Sequence, residues 1–324
     1  MDLILHIILL AGGVMMLWKS AELLVAGAVG LAQKLGISSL VIGLTVVAMG
    51  TSAPEVAASI AGVLRKTGGG DLAVGNVFGS NIANLALVGG LVALIQPLGV
   101  QRKTLFCEIP VMLAVALLLW PLLHNSNLSR PEAVILLAIF AALIILTVYT
   151  ARREARQPDR PSENLEPDTK YDVRNMKKAI LFVVIGLVGL ALGAKMSVEG
   201  AVFIGVRIGL SERVIALTVI AFGTSLPELV TCVVAAIKGH HDISVGNLVG
   251  SNIFNTLLVT GAAGTIRPFE VGPRLAGGVD YWIMVIVSAA FTAAVIIGKR
   301  IIGRVCGTLL VCMYVGYIIY LLSA

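Results

Sequence analysis

Apolar runs of bilayer length, separated by short clusters of glycine, proline and charge, recur along the whole chain. Windows such as 111–123 with its flanks and 133–150 approach the roughly 20 apolar residues that a membrane-spanning helix needs. Reading the runs against their breaks predicts ten spans. The first five cover about 3–33, 38–64, 71–95, 105–123 and 131–150. The second five cover about 178–207, 212–237, 242–266, 279–298 and 302–322. One or two such windows would be anchors. Ten make the bilayer the solvent of the fold, an all-α integral membrane protein.

Composition agrees. Of 324 residues, 58% are hydrophobic and 13% charged, against about 25% charged in ordinary soluble domains. No basic region precedes the first apolar run, so the first helix is expected to be retained rather than cleaved. Cys107, Cys232, Cys306 and Cys312 lack Cys-x-x-Cys spacing and fit packing better than a disulfide or metal site. The net charge of +6 does not indicate nucleic acid, because the basic residues cluster at the predicted membrane edges. With the N-terminus outside, fifteen Lys and Arg fall on the cytoplasmic face and seven on the other, so both termini are expected outside. Segment 151–177, with Pro158, Pro161 and Pro167 among mixed charges, reads as a solvated cytoplasmic linker between halves 1–150 and 178–324.

Those halves repeat each other. Residues 36–55 align with 209–228 without a gap, thirteen of twenty positions being identical, and 71–84 align with 242–255, nine of fourteen being identical. Five spans separate the copies. An odd number means the second copy enters the membrane from the opposite side, which gives two inverted five-helix repeats. Inverted repeats with discontinuous helices are a transporter architecture, with the ion site at the repeat interface near the midplane.

The repeated segments carry the chemistry. Each holds Gly-Thr-Ser-x-Pro-Glu in mid-span, at 50–55 and 223–228. Pro54 and Pro227 cannot donate to the carbonyls of Gly50 and Gly223, and carbonyls freed at membrane depth line a cavity or bind something. Thr51 and Glu55 are four apart and share a helix face, which gathers hydroxyl, carboxylate and carbonyl oxygens. Hard cations take oxygen ligands, six to eight of them for Ca²⁺, and no His or Cys cluster argues for zinc or copper. A structural proline kink with a hydrogen-bonded Glu competes with that reading. Its appearance in both halves favours an ion site.

Spans three and eight carry Gly-Asn-x-x-Gly-Ser-Asn-Ile-x-Asn at 75–84 and 246–255. For Ser80, Asn84, Ser251 and Asn255, ion ligation competes with interhelical hydrogen bonding. Asn81 and Asn252 lie about 100° round the helix from the preceding serines and fit a structural role. The paired glycines Gly75/Gly79 and Gly246/Gly250 fit close helix packing. Lys19 with Glu22 and Lys195 with Glu199 have the spacing of intrahelical pairs. Asp71 and Asp242 stand at helix starts, where an acid is stabilised and could draw in cations. No His-Glu-x-x-His or Gly-x-Ser-Gly motif suggests an enzyme.

The paired motifs resemble the alpha repeats of the sodium/calcium exchanger family, within the cation/Ca²⁺ exchanger superfamily. That resemblance covers nearly the whole chain. It implies alternating access around four clustered cation sites between spans two, three, seven and eight, exchanging Na⁺ for Ca²⁺ in a cell membrane. It also implies Glu55 and Glu228 as Ca²⁺ ligands with the carbonyls of Thr51 and Thr224. Ser52, Ser80, Ser225, Ser251 and the carbonyls of Ala48 and Ala221 would complete Na⁺ sites, while spans one and six slide across the core. Some relatives carry Asp where Asn255 stands or beside it, so Asn here argues against potassium dependence. The linker has no room for the Ca²⁺-sensing domains of animal exchangers. Proton coupling on the same fold is the rival to Na⁺. Neither a cofactor nor an obligate protein partner is expected.

Overall fold

The computed structural model describes residues 2–65, 68–155, 173, 175–210, 215 and 221–323. Helices follow where the apolar runs place them. They are α1 (Asp2–Leu35), the bent pair α2 (Ser39–Thr51) and α3 (Ala53–Val63), α4 (Gly69–Ile95), α5 (Thr104–Leu123), α6 (Arg130–Ala155) and α7 (Met176–Arg207). There follow α8 (Ala221–Thr224), α9 (Leu226–Ile237), α10 (241–266), α11 (Val279–Ile297) and α12 (Arg304–Ser323). Among the described residues seven helices are long and apolar enough to cross a membrane, and the α2–α3 pair makes eight. The start of the seventh span, 212–220 apart from Ile215, and most of the linker, 156–172, lie outside the described residues.

One boundary differs from expectation. Helix α6 runs to Ala155 rather than 150. Its last turn carries Arg152 and Arg153, which suit the negative end of the helix dipole. Beside them Glu154 meets Lys103 at 2.6 Å.

Among the seven helices that meet a span's length and apolarity, α4 is the most enclosed, 72% of its apolar window being buried, whereas α6 is only 11% buried and presents its sides to lipid. Against this core α10 packs onto α2 at close range. A Cβ on Gly246 would come 2.8 Å from the Leu40 carbonyl, and one on Gly250 would come 2.6 Å from that of Leu44. The expected packing glycines are thus real contacts in the second half. A Cβ on Gly75 or Gly79 meets nothing within 4 Å. The segment that the repeat assigns to that face, 211–220, lies mostly outside the described residues.

Two short antiparallel ladders staple the halves together. Strand β1 (Leu98–Gly99), after α4, pairs with β4 (Ile301–Ile302), between α11 and α12. Strand β3 (Phe269–Glu270), after α10, pairs with β2 (Asn127–Leu128), between α5 and α6. The repeat relates one ladder to the other, so an inverted copy stands at each rim. Asp71 accepts from the Gly272 N–H at 2.6 Å, and Asp242 accepts from Gln101 Nε2, also at 2.6 Å. Both acids tie a helix start to the other half's loop.

Helices α1 and α7 form a separate layer and take part in neither staple. They pack on each other along most of their length through small residues. A Cβ on Gly193 would come 2.9 Å from the Gly13 carbonyl and the Leu17 N–H. The Lys19–Glu22 and Lys195–Glu199 pairs form within these helices at 3.2 and 3.8 Å, as their spacing predicts.

Gly193→Val should therefore drive the two backbones apart and lower stability by about 1–3 kcal/mol, the usual cost of overpacking. Thermal unfolding in detergent measures it. Gly316→Ala is the control, because a Cβ there meets nothing within 4 Å.

Candidate ion-binding site

Proline chooses where the second span breaks. Helix α2 ends at Thr51, Ser52 takes φ −87°, ψ 8°, and α3 begins with Pro54 in its first turn, bent 43° from α2. In a first turn the missing N–H costs nothing, since the groups there have no intrahelical acceptor. The other half repeats this. Ser225 takes φ −88°, ψ 3° between α8 and α9, and Pro227 occupies the first turn of α9. Each glutamate thus lands in the first turn of a half-helix, where the N-terminal partial positive charge favours an anion. Glu55 and Glu228 are both fully buried and close enough to interact electrostatically.

The neighbouring spans present widened turns. Helix α4 has a π-helical stretch at Ala83–Val88, α10 one at Asn255–Val259, and α2 one at Gly43–Val47, just ahead of Ala48. In the first two the carbonyls of Asn84 and Asn255 accept from N–H groups five residues on, at Gly89 and Thr260. Such π-turns are frequent at functional sites. Here they occur at the two asparagines that close the repeated motif.

The structure gathers most of the candidate side chains around the two carboxylates. Ser52 donates to Glu228 Oε1 at 3.1 Å, and Ser80 donates to Glu55 Oε1 at 3.4 Å. Asn255 Nδ2 reaches across the halves to Ser80 at 3.1 Å and to Asn81 Oδ1 at 3.2 Å. Thr51 donates to Asn247 Oδ1 at 3.1 Å and lies 3.4 Å from the Ala48 carbonyl. That carbonyl also accepts from the Ser52 N–H at 3.1 Å, so it is engaged in this conformation. Ser251 donates to Asn247 Oδ1 at 3.5 Å. Ala221 opens α8, and Thr224 ends it half-buried.

What remains is mainly oxygen, with the Asn84 amide nitrogen also unpartnered. Glu55 Oε2, Glu228 Oε2, Ser225 Oγ, Asn84 Oδ1 and Asn255 Oδ1 are buried without a protein hydrogen-bond partner. A buried polar group left unsatisfied costs about 1–3 kcal/mol, and more if charged. Among the described residues no group of three His, Cys, Asp or Glu side chains could hold a metal. A cation at this centre would therefore meet two carboxylates and neutral oxygens.

Sequence reasoning passed over two residues that organise the site. Asn76 donates to the Glu55 carbonyl at 3.2 Å and to Ser59 at 3.0 Å, bracing the start of α3. Its counterpart Asn247 donates to Cys232 Sγ at 3.3 Å while accepting from Thr51 of the other half. Each stands four residues before the motif's serine, on the same helix face as Ser80 and Asn84 or Ser251 and Asn255, which was the available signal. Asn252 Nδ2 donates to the Leu248 carbonyl at 2.7 Å, while its Oδ1 is buried without a hydrogen-bond partner.

The family profile described as sodium/calcium exchanger protein matches residues 5–149 and 178–323. The putative antiporter CaxA of Alkalimonas amylolytica is 38% identical over 99% of this chain and 100% of its own length. The sodium/calcium exchanger MaX1 of Methanosarcina acetivorans is 31% identical over 82% of this chain and 84% of its own. A solved structure of the sodium-calcium exchanger NCX_Mj, soaked with zero Na⁺ and Ca²⁺, superposes with a TM-score of 0.81 at 28% identity, covering 98% of this chain and 99% of that one.

Pro54→Ala and Pro227→Ala should each allow the broken span to straighten, withdrawing the glutamate from the cluster. Cation affinity should fall about tenfold, or about 1.4 kcal/mol, by calorimetric titration with Ca²⁺. Unchanged affinity in both would make the bends purely architectural.

Proposed function

The chain belongs to the sodium/calcium exchanger protein family, and on that premise we propose that it is a secondary active antiporter that exchanges Na⁺ for Ca²⁺ by alternating access. One observation carries the reading: two buried carboxylates share a centre, each with one oxygen unsatisfied by protein. Two negative charges match one Ca²⁺, and the neutral oxygens of Asn84, Asn255, Ser52, Ser80, Ser225 and Ser251 enlarge the set toward the six to eight that Ca²⁺ prefers. The carbonyls of Thr51, Thr224, Ala48 and Ala221 are the main-chain contribution. Na⁺ competes for the same oxygens, so one load leaves as the other arrives.

Alternating access needs a part that moves and a part that holds the ions. The stapled layer supports the holding role, and the α1–α7 pair, outside both staples, supports the moving one. The basic-residue asymmetry supports an orientation with both termini outside the cytoplasm. The partners are then the two ions and the bilayer.

Glu55→Gln and Glu228→Gln should each leave a folded protein whose Ca²⁺ flux is reduced about a hundredfold, since removing one of two charged partners of a buried cation costs about 3 kcal/mol of binding. The assay is Ca²⁺ uptake into reconstituted vesicles under an imposed Na⁺ gradient. Near-normal flux in either variant sinks the assignment. Uptake driven by a pH gradient but not by Na⁺ would replace Na⁺ coupling with proton coupling.

Asn255 sets the formal charge of the centre. Wild-type exchange should proceed unchanged when K⁺ is replaced by choline. Asn255→Asp should still transport but gain a pH dependence, because a third carboxylate beside Glu55 and Glu228 favours its protonated form. A strict K⁺ requirement in the wild type overturns this account. An unaltered pH profile in the variant places Asn255 outside the ion site.

A further inference from the structure

The two rims are built alike but charged differently. At one, Lys299 and Arg300 both adopt left-handed backbone, with φ 51° and 72°. They close α11 by bonding their N–H groups to the carbonyls of Ile296 and Val295 at 3.0 and 2.8 Å. Left-handed closure of a helix ordinarily uses glycine or asparagine. The Arg300 carbonyl then accepts from the Val100 N–H at 2.8 Å, extending the β1–β4 ladder.

The repeat supplies an internal comparison. At the opposite rim Ser126 stands where Arg300 does, with φ 61°, and its carbonyl accepts from the Val271 N–H at 3.0 Å. Asn125 precedes it in place of Lys299. Only the second of these two residues is left-handed, yet the equivalent ladder bond forms between neutral residues, so that bond does not require two cations. A third cation adds to the contrast. Arg274 is neutralised by Asp280 through two bonds of 3.0 and 3.1 Å. Its counterpart Arg102 lies over the Phe106 ring, 5.7 Å away. Among the described residues no carboxylate pairs with Arg102, Lys299 or Arg300.

These three cations line one open cavity of about 440 Å³ with Leu105, Phe106 and Ile296. Around it Phe106, Ile297, Ile301 and Val305 are exposed by 66, 75, 52 and 76%. Unpaired positive charge over exposed apolar side chains is the complement of a phosphate attached to acyl chains.

We propose that Arg102, Lys299 and Arg300, held by the β1–β4 staple, bind the phosphate headgroup of an anionic phospholipid at one rim of the protein. The acyl chains lie against Phe106, Ile297, Ile301 and Val305. Guanidinium groups suit phosphate because they donate two parallel hydrogen bonds. The staple holds the two turn residues in register, so the site is preformed. A lipid seated there anchors the stapled layer to the bilayer surface.

The test is lipid binding to purified protein by native mass spectrometry, together with thermal protection by phosphatidylglycerol against phosphatidylcholine. The triple variant Arg102→Ala, Lys299→Asn, Arg300→Ser gives the turn the residues of the opposite rim. Arg300→Ser alone is the milder form should the triple not fold. Phosphatidylglycerol should bind the wild type preferentially, and affinity should fall roughly fivefold per cation removed, the factor equivalent to about 1 kcal/mol. A control lacking three other cations (Lys34→Ala, Lys177→Ala, Lys195→Ala) should keep the preference. Wild-type binding by the rim variants, or an equal loss in the control, overturns the site. Equal protection by inorganic phosphate alone overturns the lipid as its occupant.

Discussion

Two carboxylates buried at membrane depth, with no cationic side chain among the described residues bonded to either, are the constraint on which the rest of the molecule depends. An uncompensated buried charge is among the most expensive features a protein can carry. This chain supports two of them with weak, distributed means: half-helix starts at α3 and α9, single hydroxyls from Ser52 and Ser80, and amides drawn from both halves. A lysine or arginine at the centre would satisfy the carboxylates permanently and leave nothing for a mobile cation. The absence of such a partner keeps the pair available to a cation that can leave.

That weak support must be accurate, which explains the rigidity around it. Helices α2 and α10 approach to backbone distance at Gly246 and Gly250, and across that contact Thr51 reaches Asn247. The staples hold both ends of this arrangement, and Asp71 and Asp242 lock helix starts to loops of the opposite half. The symmetry is broken at the centre itself. Ser52 bonds Glu228, while its counterpart Ser225 has no partner, and Ser80 bonds Glu55, while Ser251 turns to Asn247. Two copies of one motif thus provide two unlike halves of a site.

Much of this was legible in the sequence, and the reason is local. Apolar runs at bilayer length, prolines before glutamates and a repeat of thirteen positions in twenty each report on residues near one another in the chain. The π-turns at Asn84 and Asn255 were not legible, because a widened turn leaves no mark on hydrophobic periodicity. Nor was the partner of each hydroxyl, which depends on side-chain choices between helices some 175 residues apart. Asp71 and Asp242 show the limit best. Their position at helix starts suggested an electrostatic role, yet what they hold is a peptide N–H and an amide across the fold.

The crossed ladders have a consequence for how the protein comes into being. Strand β1 finds its partner only near the C-terminus, and Asp71 must wait for Gly272. Helix α1 likewise packs on α7, which lies beyond the linker. Contacts so distant along the chain form late and slowly. The first five spans therefore enter the bilayer with Glu55 supported only by Ser80 and Asn76 of its own half, while Ser52 and Ser80 still lack Glu228 and Asn255, and assembly of the site is a step that follows insertion. Until the ribosome has delivered the second half, the first is a collection of helices awaiting its complement.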